Sequence, residues 1–168
     1  LSDMSPPLIR NVRVSDVPAI IEIYNPFITN TTVTFEEEPV SAQEMQRRIR
    51  QVQEQGLPWL CVEMEEGVTG FAYAARWKER SAYRFTVETT IYLDPSCTGR
   101  GIGRALYSTL LEQVRALGMH QAIAVITLPN PASVALHEKL GFKQVAHFSE
   151  VGFKFNQWLD VGYWQLAL

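Results

Sequence analysis

Chemistry in this chain concentrates between residues 86 and 104. Thr86-Val87-Glu88-Thr89-Thr90-Ile91-Tyr92-Leu93 sets one carboxylate in a run of β-branched and aromatic residues, which reads as a strand. Asp94-Pro95 ends it, because proline lacks a ladder donor and restricts the residue before it. Gly99, Gly101 and Gly103 follow, then Ile102, Leu106, Leu110, Val114 and Leu117 recur at helical spacing. Such a strand, turn and helix start aim free N–H groups and a helix dipole at one point, a cradle suited to phosphate. A carboxylate beside an apolar pocket on an inner strand acquires a raised pKa and can accept a proton. Two plainer readings stay open: Glu88 pairs with Arg84 or another cation, and the turn is only a connection.

Other side chains carry weaker signals. Arg76, Lys78, Arg80 and Tyr83 crowd one loop; guanidinium groups there suit a carboxylate or phosphinate, or the loop is simply solvated. Phe35 and Tyr92 can wall a small pocket or fill the core. His137 titrates near neutrality and can shuttle a proton, or it packs as a hydrogen-bonded histidine. His120 and His147 read as surface residues, and the three histidines lack metal-ligand spacing, so no metal is expected. The turn fits neither a dinucleotide fingerprint, which belongs at a first strand, nor a Walker motif, since Gly103-Arg104-Ala105 lacks Lys-Ser/Thr.

The elements that must position these groups can be read in order. Leu8–Val14 alternates as a first strand, and Ser15 caps a helix carrying Val17, Ile20, Ile21 and Tyr24. Asn25 to Pro39 has no sustained period; its apolar Thr31-Thr32-Val33-Thr34-Phe35 lines a pocket or tucks Phe35 inward. Ser41-Ala42-Gln43-Glu44 is a capping-box pattern, and Gly56 with Pro58 stops that helix. Trp59–Met64 and Val68–Arg76 form a hairpin at Glu65-Glu66-Gly67. Gly118 closes the helix after the glycine turn, and Ala122–Ile126 is apolar throughout, suiting a strand buried on both faces. Asn130-Pro131 starts a helix that Gly141 ends. Val145–Phe155 and Val161–Leu168 close the chain as strands joined at Asn156-Gln157-Trp158. The expectation is an α/β (α+β) domain around a mixed sheet over residues 4–168, with Leu1-Ser2-Asp3 a remnant outside it.

Composition agrees. The 168 residues are 46% hydrophobic and 20% charged, with a net charge of −3, as in a soluble globular domain without a nucleic-acid surface. No apolar run approaches the roughly 18–20 residues of a membrane span, and no signal peptide is apparent. Cys61 and Cys97 have no disulfide or metal spacing, so the expectation is two reduced thiols in the cytoplasm.

Thr98-Gly99-Arg100-Gly101-Ile102-Gly103-Arg104 after Asp94-Pro95 resembles the acetyl-CoA motif Arg/Gln-x-x-Gly-x-Gly/Ala of the GNAT N-acetyltransferase superfamily. A second match is Asn130-Pro131-Ala132-Ser133-Val134-Ala135-Leu136-His137-Glu138-Lys139-Leu140-Gly141-Phe142, and the element order agrees over nearly the whole chain. Thr98 departs from the pattern, where Arg or Gln is usual. The resemblance implies a three-layer fold, a mixed central sheet with splayed central strands and flanking helices. It implies acetyl-CoA as co-substrate, contacted by Ile91, Tyr92, Leu93, Thr98, Gly99, Arg100, Gly101, Ile102, Gly103, Arg104, Asn130 and Ser133.

A narrower resemblance is to the phosphinothricin and methionine sulfoximine acetyltransferase branch. It rests on Phe35 after its Thr-rich run, on Tyr83 to Tyr92, on Leu136-His137-Glu138 and on the tail Glu150 to Val161. It implies Glu88 as general base, His137 as proton donor or structural residue, and Phe35, Arg76, Lys78, Arg80, Tyr83 and Tyr92 around a small zwitterionic acceptor. It also implies a homodimer with no nucleic-acid or membrane partner. Acetylation of a peptide amino terminus, or acetyl-CoA sensing without catalysis, are the alternatives that remain.

Overall fold

The computed structural model describes residues 6–168, so the expected remnant Leu1–Asp3 lies outside the described residues. Seven strands form one sheet in the order β1-β2-β3-β4-β5-β7-β6. They are β1 (Leu8–Asn11), β2 (Trp59–Met64), β3 (Gly67–Arg76), β4 (Thr86–Leu93), β5 (Gln121–Leu128), β6 (Lys143–Lys154) and β7 (Gln157–Ala167). Four α-helices accompany them: α1 (Val17–Asn30), α2 (Ala42–Glu54), α3 (Ile102–Ala116) and α4 (Pro131–Lys139). The expected order of strands and helices holds throughout.

Every strand pairing is antiparallel except β4–β5. That parallel pair is brief: Thr86, Val87 and Glu88 face Gln121, Ala122 and Ile123, and no partner follows. Beyond Glu88 the two strands diverge, giving the expected splay and leaving one edge of Thr89–Leu93 unpaired inside the sheet.

Strand alternation then sorts β4 between two layers. Tyr92 meets the rings of Tyr24 and Phe27 on α1, at centroid distances of 4.8 and 5.2 Å. Thr89 faces the opposite layer, hydrogen-bonded to Tyr107 on α3. Gly103 presses α3 against β4, since a Cβ there would lie 2.9 Å from Leu93 Cδ1. The core runs through both layers, with Ile20, Leu60, Phe71, Leu106, Tyr107 and Leu110 all essentially inaccessible.

Several local expectations need correction. The first strand stops at Asn11, and Asp16 rather than Ser15 stands at the start of α1; its carboxylate accepts from Arg13 N–H and from both Arg10 Nη atoms. The helix does not end near Tyr24 but continues through Pro26 to Asn30. Burial of Ile28 and the paired hydrogen bonds of the Asn25 side chain with Val40 hold it past the proline. Val125 is 41% exposed, because β5 opens onto the space left by the splay rather than being buried on both faces. The last hairpin turns at Phe155-Asn156, both with positive φ, so it begins one residue ahead of the expected Asn156-Gln157-Trp158 and Gln157 already pairs with Lys154. Ser41 does accept from Glu44 N–H, but the Glu44 carboxylate turns to Arg47 instead of completing a box.

Candidate active site

The glycine turn folds as its sequence requires. Asp94 accepts from Ser96 N–H and starts a short 3-10 turn, Pro95–Cys97. Gly99 and Gly101 then take φ of 82° and 74°, the left-handed region that glycine enters without penalty. Gly101 stands at the N-cap of α3, where no side chain caps the helix. The first-turn N–H groups of α3 therefore remain available to an anion. At α4 the side chain of Asn130 accepts from Ser133 N–H, fixing that helix start across the splay.

Between these two helix starts lies a groove of about 590 Å³. Of the expected cofactor set, Ile91, Tyr92, Leu93, Thr98, Gly99, Gly101, Gly103, Arg104, Asn130 and Ser133 line it. Two members do not. Ile102 turns its side chain into the core, leaving only its main chain in the first turn. Arg100 reaches back to Glu66, Nη1 to Oε1 3.6 Å. Thr98 donates its hydroxyl to the Pro95 carbonyl, so it braces the turn internally.

A second cavity of about 280 Å³ opens where β4 and β5 separate. It shares Val33, Ile91, Tyr92, Asn130 and Ser133 with the groove, so the two spaces meet. Glu88 stands at its head, at the last β4–β5 pair. Among the described residues no ion pair or hydrogen bond engages this carboxylate, so the expected alternative of an Arg84 pair is not formed; Arg84 instead donates to Ser81 O and lies over the Phe85 ring. Burial raises the Glu88 pKa, and the positive charge of Lys78 partly opposes the rise. The result is a half-buried acid with no fixed partner, facing a cavity.

His137 is 4% exposed and fully engaged. Its Nδ1 lies 2.7 Å from the Ser133 carbonyl, which can only accept, so Nδ1 carries the proton. Nε2 then accepts from the Tyr107 hydroxyl at 2.9 Å, and Tyr107 accepts from Thr89 at 2.6 Å. Burial lowers the His137 pKa, favouring the neutral ring. The chain of bonds joins β4, α3 and α4 across the divergence.

The acceptor set divides. Phe35 and Tyr92 line the cavity, whereas Arg76, Lys78, Arg80 and Tyr83 do not. These four stay exposed, with Tyr83 edge-on to Trp77 and Lys78 over the Trp77 ring. Lys78 is the cation whose charge Glu88 feels. Sequence reading missed Tyr73, Thr90, Thr127 and Val161 as lining residues. The first two were accessible in principle, because pairing Ala75 with Glu88 puts Tyr73 and Thr90 on the same face. Among the described residues no cluster of three or more His, Cys, Asp or Glu has a metal-binding arrangement, and no helix is long and apolar enough to cross a membrane.

A helix start with free N–H groups, a groove beside it and a half-buried carboxylate at the head of the adjoining cavity are the parts that acyl transfer from a coenzyme A thioester requires. Residues 9–162 match the acetyltransferase (GNAT) domain, and the chain belongs to that family. It is similar to the phosphinothricin N-acetyltransferase of Streptomyces viridochromogenes, 41% identical over 157 residues, 94% of this chain and 85% of the relative. The L-methionine sulfoximine/L-methionine sulfone acetyltransferase of Pseudomonas aeruginosa is 37% identical over 161 residues, 95% of this chain and 94% of the relative. A phosphinothricin acetyltransferase from Sinorhizobium meliloti, solved with acetyl-CoA, superposes at a TM-score of 0.94 with 41% identity, covering 98% of this chain and 89% of that one. The protein is thus an acetyltransferase that uses acetyl-CoA, with the GNAT fold expected from its two motifs.

Proposed function

We propose that the protein acetylates the α-amino group of a small amino acid or analogue of the phosphinothricin, methionine sulfoximine or methionine sulfone type. The observation that carries this reading is the small cavity headed by Glu88 and continuous with the cofactor groove. Its size and enclosure suit a compact amine better than a peptide terminus, which needs an open groove. The names of the relatives point to the same acceptor class.

In this mechanism the first turn of α3 and the turn Thr98–Arg104 hold the pyrophosphate, and the unpaired edge of Ile91–Leu93 aligns the arm of the cofactor. Acetyl-CoA supplies the thioester. Glu88, directly or through a water, removes a proton from the acceptor ammonium; the free amine attacks the carbonyl carbon. The C–N bond forms, the C–S bond breaks, and the second proton, which the nitrogen sheds as the amide forms, passes by way of water to the departing thiolate. Alignment of two bound substrates contributes most, with general-base help of about 10²–10⁴-fold. His137, with both ring nitrogens engaged, serves by holding the start of α4 beside the thioester rather than as a free acid. Lys78, whose charge reaches Glu88, meets the acceptor's acidic group, while Phe35 and Tyr92 wall its side chain.

Coenzyme A release measured over a panel of amines tests the reading. Turnover is expected with one or more small zwitterions of this class. Turnover with peptide amino termini alone would replace the acceptor class, and cofactor binding without release on any amine would leave a sensor.

A further inference from the structure

Lys154, the last residue of β6, is 2% exposed. Among the described residues no carboxylate pairs with it directly; its Nζ donates to the Thr34 carbonyl at 2.7 Å and lies 5.1 Å from the Phe155 ring centroid. Glu37 and Glu36 act on it only through longer-range charge, and the Glu36 carboxylate is taken by Arg48 and the Tyr24 hydroxyl. A buried ammonium is a costly way to fill space. The carbonyl it serves belongs to the wall of the acceptor cavity, since Val33, Thr34 and Phe35 line it together.

Gly152 faces the same wall two residues earlier, on the same side of β6. A Cβ there would overlap the Phe35 ring. From the other side Thr34 is held by the Tyr24 hydroxyl at 2.8 Å. The segment 31–35 has no strand or helix partner of its own, so these side-chain contacts fix its path.

We propose that Lys154 is a positioning residue for the acceptor: through the Thr34 carbonyl it holds Val33 and Phe35 in place as a wall of the acceptor cavity. The assignment rests on the reading of that cavity as the acceptor site. Loss of a charged hydrogen bond to a main-chain carbonyl is expected to be felt in acceptor binding and hardly at all in cofactor binding.

Steady-state kinetics of Lys154→Met and Lys154→Arg, with acetyl-CoA and the best acceptor of the panel, test it. In Lys154→Met the acceptor KM should rise about tenfold while the acetyl-CoA KM stays within about twofold; Lys154→Arg, which keeps a donor, should recover most of the loss. Equal changes in both KM values, or a lowered Tm with neither KM changed, would mean that Lys154 only supports the fold. If Lys154→Met does not fold, Gly152→Ala displaces Phe35 from its contact with the same face of β6 and should give the same split; its absence would overturn the clamp. A wild-type enzyme that turns over no small amine removes the functional reading and this assignment together. Wild-type turnover with an unchanged acceptor KM in Lys154→Met removes only the assignment.

Discussion

Glu88 combines a position at the last pair before β4 and β5 diverge with burial that raises its pKa and the nearby charge of Lys78 that limits the rise. A carboxylate with a raised pKa is a stronger base, and its ionised form is disfavoured by the fold. The same shift has two consequences. For catalysis, Glu88→Gln should lower turnover at neutral pH by about 10²–10⁴-fold, and the loss should narrow as rising pH frees the amine without help. A variant whose pH–rate profile follows the wild type would exclude Glu88 as the base. For stability, a raised folded pKa removes stability as pH rises from the unfolded value of about 4.3 through the folded one. Glu88→Gln should therefore melt higher than the wild type at neutral pH, with the difference vanishing below pH ~4. Glu88 was legible in the sequence as a lone carboxylate within a strand. His137 was legible only as a residue type, because the Tyr107 contact that occupies its Nε2 depends on how α3 and α4 pack.

At the scale of elements, the glycine turn connects local conformation with cofactor affinity. Gly101 has φ of 74° and stands at the N-cap of α3, and a Cβ there would meet nothing within 4 Å. Alanine at this position is opposed by backbone conformation rather than by crowding, a cost of roughly 1–2 kcal/mol. Gly101→Ala should fold yet bind acetyl-CoA about tenfold more weakly as the turn relaxes and its N–H groups move. Calorimetric titration reads this directly; wild-type affinity would show that the cradle does not need the left-handed turn. Turns and caps of this kind were the readable part of the chain: Asn130, Ser41, Gly118 and Gly141 end or begin helices where their chemistry says they should. The end of α1 was not readable, since Asn25 to Pro39 shows no period while the burial of Ile28 carries the helix through Pro26 to Asn30. The wall at 31–35 had no period to read, because it is held by Lys154, 120 positions away.

At the scale of the whole molecule, the edge hairpin β6–β7 leaves large apolar side chains in solvent. Val145, Phe148, Val151, Phe153, Phe155 and Trp158 are 47–64% exposed on these strands and their turn. Large apolar side chains gathered on one exposed hairpin mark an interaction surface, and we propose that a second copy of the chain covers it, in keeping with the homodimer implied by the narrower family resemblance. Sedimentation equilibrium should give a dimer for the wild type at micromolar concentration and a monomer for Trp158→Asp. A wild-type monomer would count against the assembly. The sequence showed the aromatic residues of this tail but not which of them stay exposed, because the register shift between Phe148 and Gly152 interrupts the alternation.

The contact between Gly152 and Phe35 has a consequence for how such a cavity can diversify. A side chain at position 152 and a full ring at position 35 compete for the same volume, so the two positions are not free to vary separately. Homologues that carry a larger residue at the first should carry a smaller one at the second, and the acceptor cavity should change shape with each exchange. Acceptor preference would then drift by paired substitutions on a loop and a distant strand, while the residues that hold the cofactor stay as they are.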